Sequence, residues 1–354
     1  MRLGQTATAD PAAAELASFG QPARIAAVVV THNRLQTLAL TVTRLLAETL
    51  DHVIVVDNAS TDGSADWLAK LGDARLHVIT LPENLGGAGG FAEGMRQACA
   101  LFDPDWVLVM DDDARPDPGT LDRFRAMDKT GLGGVAAAVY KTEGGICDMN
   151  RPSVNPFWHY KAFLRTLMGG GRMGFHLPNS AYEGTALVPI DAASFVGFFM
   201  SRAAIAAAGL PDARLFIYGD DVLYSFALRR AGMTLVFAPA LRFDHDFKTF
   251  AAHSLAFTPL WKVYYHCRNL LLVYRSAAGL LFWPALLLIL PKWRIKAKHY
   301  GPDRRLYLRL LGLALGDALR GKLDRTHAEI VDRAATTTPR VMQDPKGSDT
   351  APRI

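Results

Sequence analysis

Five apolar residues, Trp106 to Met110, run without interruption into three aspartates, Asp111, Asp112 and Asp113. A continuous apolar run reads as a strand buried on both faces, as in parallel sheets covered by helices. In open α/β sheets, ligands bind just beyond the carboxyl ends of the strands, where these carboxylates fall. Three adjacent carboxylates repel one another, and a bound cation would offset that charge. Carboxylate oxygens suit Mg²⁺ or Mn²⁺, which take one or two protein carboxylates and fill their shell with phosphate oxygens and water. An acidic turn leading to Pro116 and Pro118 accounts for the same residues. The surrounding pattern favours the cation.

From Arg24 the chain alternates strand and helix. Arg24 to Thr31 reads as a buried strand, Leu35 to Leu50 as a helix, and Val53 to Asp57 as a second strand ending in a carboxylate. Ser64 is placed to cap a helix over Ala65 to Leu71, Leu76 to Leu81 is a third strand, and Phe91 to Leu101 the next helix. The alternation predicts right-handed βαβ units and a mostly parallel sheet flanked by helices, a Rossmann-like α/β fold. Strands are also expected at Gly134 to Tyr140, Phe195 to Met200 and Thr234 to Pro239, with helices at Arg202 to Ala208 and Asp220 to Ala231. Residues 144–190 are irregular, and a long irregular segment in a compact domain is usually functional.

Three further clusters carry chemistry. Asp57 ends its strand where a carboxylate can accept from a ribose or base N–H, although Asn58 or Asp62 equally suits a turn. Thr31 and Asn33 end the first strand in the same way. The segment Glu83 to Phe91 holds Gly86, Gly87, Gly89 and Gly90 between a strand and a helix. Such a loop lets backbone approach a ligand and offers free N–H groups, although it is neither a P-loop nor a GxGxxG turn. Asp220 and Asp221 open a helix, where they complement the dipole; two neighbouring carboxylates also raise one pKa toward that of a general base. His245, between Asp244 and Asp246 after a strand, is expected to complete a metal site with the three aspartates.

The chain is 354 residues long with a net charge of +5, unevenly placed: residues 291–325 hold ten basic side chains, from Lys292 to Arg325, against few acids. That imbalance suggests an anionic lipid surface, and no nucleic-acid-binding motif accompanies it. Residues 280–290 are the most apolar run but would span roughly 16 Å as a helix, and Pro284 interrupts it, which predicts an interfacial rather than a spanning segment. Aromatic residues from Trp261 to Trp293 suit a headgroup level. Cys99, Cys147 and Cys267 form no CxxC, which argues for a reducing compartment. Residues 1–23 read as an extension without a signal peptide, 24–250 as the catalytic domain, 251–333 as a helical basic and aromatic region, and 334–354 as a disordered tail.

Taken in order, VVVTHNR (28–34), VVDNASTDGS (55–64), ENLGGAGGF (83–91), MDDDA (110–114), FIYGDDV (216–222) and His245 resemble the family-2 glycosyltransferases of the GT-A fold. The likeness is greatest to the bacterial galactofuranosyl- and rhamnosyltransferase branch and runs from about Arg24 to Gly321. LGDALRGK (315–322) resembles a closing segment of such proteins. The resemblance implies that Asp57 contacts the nucleobase, with Thr31 and Arg34 nearby, and that Asn84, Gly86, Gly87 and Asp112 also face the nucleotide sugar. It implies Asp111, Asp113 and His245 as ligands of Mn²⁺ or Mg²⁺, Asp221 as catalytic base and Asp220 as its acidic neighbour. Leu223 and Ala227 depart from an acidic residue and an arginine common in relatives, which bears on acceptor contacts.

The resulting expectation is an inverting, metal-dependent transferase moving a hexose to a lipid-linked or polysaccharide acceptor on the cytoplasmic face of the membrane, with a homo-oligomer possible. UDP-galactofuranose is the first donor and dTDP-rhamnose the second. A sugar nucleotidyltransferase and a non-catalytic membrane scaffold are the rival readings.

Overall fold

The computed structural model describes residues 22–246 and 256–335. The expected N-terminal extension and tail fall outside the described residues except for two residues each, as does the junction between the catalytic and helical regions.

In chain order the first half runs β1 (Ile25–Thr31), α1 (Leu35–Leu46), β2 (His52–Asp57), α2 (Ser64–Ala69), β3 (Leu76–Thr80), α3 (Gly86–Leu101) and β4 (Trp106–Asp111). Strands β3, β2, β1 and β4 pair in parallel in that order. Both faces of β1 are buried, and alternate residues enter two cores. Ile25, Ala27 and Val29 pack under α1, while Ala26, Val28 and Val30 pack under α3.

Several local expectations shift. Helix α1 ends at Leu46, because Glu48 turns inward to accept from Gly119 and Leu121. Gly63, not Ser64, precedes α2, and the Asp62 carboxylate accepts from Ser64 N and from Leu35 N. The glycine segment is not a loop: α3 begins at Gly86, and its glycines let it lie close on the sheet. A Cβ on Gly94 would come 2.3 Å from Val28 Cγ1, and one on Gly90 2.4 Å from Val30 Cγ1.

Beyond β4 the chain forms β5 (Ala114–Pro116), α4 (Thr120–Ala126), β6 (Leu132–Lys141), α5 (Tyr160–Arg165), α6 (Asn179–Glu183), β7 (Val188–Ile190), β8 (Phe198–Ser201), α7 (Arg202–Ala208), α8 (Asp220–Arg230) and β9 (Thr234–His245). Strand β8 pairs antiparallel with β4 and β6, and β9 runs parallel to β6 but antiparallel to β5 and β7. The sheet is therefore mixed, with its parallel half holding the βαβ units. Strand β9 is twice as long as expected because a register shift between Ala137 and Ala138 of β6 carries it past Pro239.

Residues 256–335 add α9 (Trp261–Ala278), α10 (Phe282–Lys296), α11 (Arg304–Arg320) and α12 (His327–Ala334), which share a third core reaching Phe216. The helical stretch Trp261–Arg320 is long and apolar enough, by length and composition, to cross a membrane. Gly279 (φ 55°, ψ −123°) and Gly301 (φ 48°, ψ −120°) break it into three helices. Pro284 does not interrupt α10; it lies in the first turn, where no intrahelical N–H is needed.

Candidate active site

The carboxyl ends of β1, β2 and β4 lie side by side, with Thr31 opposite Asp57 and Val30 opposite Asp111. After Asp111 the chain turns through Asp112 and Asp113 into β5, which pairs with the end of β9 so that Ala114 faces His245. His245 is thus the last residue of a strand rather than a loop residue beyond one, and sheet pairing delivers it to the aspartates. His245 Nε2 lies 3.0 Å from Asp113 Oδ1. One ligand atom each of Asp111, Asp113 and His245 fall within 4.8 Å of one another. Two hard oxygen donors and an imidazole this close suit a divalent cation.

The protein also offsets this acidity itself, a role for which the sequence alone suggests a bound cation. Arg34 pairs with Asp112 at 3.0 Å and with Asp113 at 2.7 Å, so its guanidinium lies over the acidic turn. The Thr31 hydroxyl donates to Asp112 Oδ2 at 2.7 Å, and the Thr41 hydroxyl donates to the Asp112 carbonyl. Asp112 is consequently a buried structural carboxylate that fixes its neighbours. Burial nevertheless pushes its pKa up to about 6, with Arg34 and Thr31 pulling the other way. Burial, and then the charge of Asp113, push Asp111 up to about 7. Asp113 stays below the usual range: burial raises it, but His245 and Arg34 outweigh that. Burial opposes charge on His245, yet its contacts with Asp113 and Cys147 and the field of Asp111 push it up to about 10.

Residues the sequence reading passed over orient the imidazole. Asn150 Oδ1 accepts from His245 Nδ1 at 2.8 Å and from the Cys147 thiol at 3.0 Å, while its amide donates to Ser194 Oγ. With Nδ1 committed to Asn150, Nε2 is the nitrogen turned toward the carboxylates. Asn150 lies in the irregular segment, where no periodicity marks it.

Asp57 is fully buried. Its Oδ1 accepts from Ser60 N at 2.9 Å, and its Oδ2 has no hydrogen-bond donor among the described residues. A buried acceptor without a donor suits a ligand N–H. Asn84 Oδ1 accepts from Gly86 N, and Asn58 bridges Leu85 N and the Gly86 carbonyl, so both shape the start of α3. Gly86 abuts the Phe216 carbonyl, 2.2 Å from where a Cβ would stand, whereas Gly87 faces open space.

Asp220 and Asp221 form the first turn of α8, after Gly219. Both are partly accessible although surrounded by protein. Burial, then Asp221, and more weakly Asp111, push Asp220 up to about 8. Burial pushes Asp221 up to about 6, against a 2.7 Å hydrogen bond from Val222 N. The field of Asp111 at Asp220 ties the start of α8 to the Asp111–Asp113–His245 cluster. Asp220, Leu223 and Ala227 line one wall of a cavity of about 630 Å³ between α8 and α9, and Arg230 and Arg275 also line it.

Residues 26–181 match the model of glycosyl transferase family 2. Galactofuranosyltransferase GlfT1 of Mycobacterium tuberculosis is 37% identical over 215 residues, covering 58% of this chain and 65% of that protein. GlfT1 of Mycolicibacterium smegmatis is 32% identical over 213 residues, covering 59% and 66%. The matched region spans just under two thirds of the length of these two GlfT1 proteins. A crystal structure of GalNAc-T7 with UDP, GalNAc and Mn²⁺ superposes with a TM-score of 0.52 over 72% of this chain and 48% of that one, at 15% identity, which shows a shared GT-A fold.

Proposed function

The chain belongs to glycosyl transferase family 2, and from that premise we propose that it is an inverting, metal-dependent hexosyltransferase of cell-envelope glycan synthesis using UDP-galactofuranose. The observation that carries this reading is the convergence of Asp111, Asp113 and His245 within 4.8 Å, with Asp220, the neighbour of Asp221, in the field of Asp111. The donor is chosen on the identity to the two GlfT1 proteins.

Asp111, Asp113 and His245 would hold Mn²⁺ or Mg²⁺, which when bound stabilises negative charge on a departing diphosphate. Asp57, through its Oδ2, would accept from the nucleobase, with Thr31, Arg34, Asn84, Gly86, Gly87 and Asp112 shaping the donor pocket. Asp221 would remove the proton from an acceptor hydroxyl as that oxygen attacks the anomeric carbon from the face opposite the diphosphate. A carboxyl with a pKa near 6 is ionised at neutral pH yet more basic than an ordinary aspartate. Asp220, pushed to about 8, would keep a proton beside it, so the pair carries a single charge.

The acceptor would enter from the cavity between α8 and α9. Helix α10 would rest on the inner leaflet of the cell membrane, on the cytoplasmic side. Leu280 is 90% exposed, Leu287 74%, Leu288 67% and Trp283 59%, with exposed Lys292, Arg294, Lys296 and Lys298 following. At 15 residues, roughly 22 Å, α10 suits lying in an interface better than spanning one. A panel of nucleotide sugars, assayed with Mn²⁺ and a lipid-linked acceptor, tests the reading through nucleoside-diphosphate release. Release from UDP-galactofuranose above all other donors is expected; release from none, or pyrophosphate from a nucleoside triphosphate, would overturn it.

A further inference from the structure

Asp220 and Asp221 are reached through a loop of unfavourable conformation. Phe216 (φ 66°, ψ −65°) is the centre of a tight three-residue turn, closed by a 2.8 Å bond from Ile217 N to the Leu215 carbonyl. Turns of this form are rare and strained. Tyr218 (φ 69°) and Gly219 (φ 76°) come next, also left-handed. Glycine takes such a φ freely, but Phe216 and Tyr218, two non-glycine residues at positive φ within three positions, need outside support to hold their shape.

That support comes from two neighbouring polar residues in the middle of α9. Asn269 Nδ2 donates to three carbonyls, Leu215 at 2.9 Å, Ile217 at 2.7 Å and Tyr218 at 2.9 Å. Arg268 Nη2 donates to the Arg214 and Leu215 carbonyls, each at 3.0 Å. Arg268 Nε donates to Asn269 Oδ1 at 2.8 Å, which fixes the amide with its N–H groups toward the loop. Both side chains are fully buried.

Burying a guanidinium is costly, and Arg268 has no carboxylate within hydrogen-bonding distance among the described residues. It lies over the rings of Tyr264 and Tyr265, 5.2 Å from each centroid, and its Nη1 is 3.5 Å from Tyr264 Oη, which donates to buried Asp317 at 2.9 Å. A contact needed only to pack α9 against the catalytic domain would use apolar side chains. With Asp221 taken as the base, an assignment on which this role depends, we propose that Arg268 and Asn269 are positioning residues. They hold residues 214–219 so that Asp220 and Asp221 face the Asp111–Asp113–His245 cluster.

The same loop is tied to the donor side through Ala88 N, which donates to the Phe216 carbonyl at 3.0 Å. Helix α3 is held on the sheet independently of that bond, by the close approach of Gly90 and Gly94 to Val30 and Val28, so breaking the α9 contacts loosens the base while α3 stays in place. This predicts separate effects on turnover and on donor binding.

The test compares wild type with Asn269→Leu, Asn269→Asp and Arg268→Lys by steady-state kinetics, calorimetric binding of UDP with Mn²⁺, and hydrogen exchange of the resting protein. Asn269→Leu is expected to lower kcat at least 30-fold, with donor KM and UDP affinity within threefold. Amides of residues 216–222 should exchange faster, and those of 106–116 should not. Asn269→Asp, which retains an acceptor for Arg268 but lacks the donors, should behave like Asn269→Leu, and Arg268→Lys should lose less. If Asn269→Leu does not fold, Asn269→Asp carries the same comparison. A lower Tm with unchanged kcat per folded enzyme, or unchanged exchange at 216–222, overturns the proposal. Exchange is read without turnover, so the clamp is judged even if Asp221→Asn stays active and sinks the base assignment.

Discussion

The two sides of the site are built by different physics. The donor side, β1 to β4 with α3, is held by apolar side chains on both faces of a parallel sheet and by glycines that remove bulk between helix and strand. The proposed acceptor side, residues 144–230 with α9 to α12, has apolar cores as well but aims its site residues through buried polar contacts: Asn150 on His245, and Arg268 and Asn269 on the loop before Asp220. An apolar core tolerates changes that keep volume, whereas a buried polar network fails when one member is left unpaired. The first region suits a fixed pocket for a diphosphate, and the second a carboxylate whose exact aim decides turnover.

The largest expected effects fall where the two sides meet. Asp221→Asn should lower kcat by at least about 10³-fold while UDP binding with Mn²⁺ stays within a few-fold, by calorimetry. Asp111→Asn, or EDTA on the wild type, should abolish transfer and weaken UDP binding as well. The acid limb of kcat/KM should bend near pH 6, since the base must be ionised and burial pushes Asp221 up to about 6. Unchanged activity after chelation would remove the metal from the scheme.

That contrast also explains what could be read from the sequence. The strands β1, β2 and β4 announce themselves as apolar runs ending in Thr31, Asp57 and Asp111, and the residue types of the proposed cation site, Asp111, Asp113 and His245, stand out in the sequence. The location of His245 was not, because it depends on a register shift in β9 and on pairing with the three-residue β5. The segment 86–90 reads as a loop because glycines carry no apolar periodicity, and only the assembled fold shows it as the start of α3, with Gly90 and Gly94 admitting the sheet. Arg268 and Asn269 left a faint signal, two polar residues inside an apolar helical face, with nothing to say which loop they served. Local periodicity encodes packing, whereas contacts between residues 214–218 and 268–269 arise only in the assembled fold.

Two glycines sharpen the donor side. Gly94→Ala places a methyl 2.3 Å from Val28 Cγ1 and should destabilise the protein by about 2–3 kcal/mol in denaturant melts. Gly87→Ala, with nothing within 4 Å, should leave stability within about 0.5 kcal/mol or raise it slightly. If backbone at Gly87 approaches the donor, as proposed, only this second variant raises donor KM in a fully stable enzyme.

Charge at Asp220 and Asp111 should oppose folding. Asp220 is raised to about 8 and Asp111 to about 7, so in the metal-free protein both favour the fold while protonated. Their contribution is fully present below about pH 4 and is lost as pH rises through 7 to 8. Asp220→Asn should therefore stabilise the metal-free protein at pH 8 by about 2 kcal/mol, less than the full shift implies because water reaches the carboxylate. At pH 4 the variant and the wild type should melt together. A variant less stable than wild type at pH 8 would mean that Asp220 is satisfied as an anion.

The smallest effect separates catalysis from docking. Leu287 and Leu288 are exposed on α10 and are distant in sequence from every proposed site residue, so replacing both with aspartate should leave the core of α9 to α12 intact. Losing two buried leucines from an interface costs about 3–6 kcal/mol if both fully leave water, and less for partial insertion. Binding to vesicles containing anionic lipid should fall about tenfold in sedimentation, and added salt should weaken the remainder by screening Lys292 to Lys298. Turnover of a water-soluble acceptor should not change, whereas turnover of a lipid-linked acceptor in vesicles should fall in step with binding. Equal losses on both acceptors would place α10 within the folded machinery of the acceptor side rather than on a membrane.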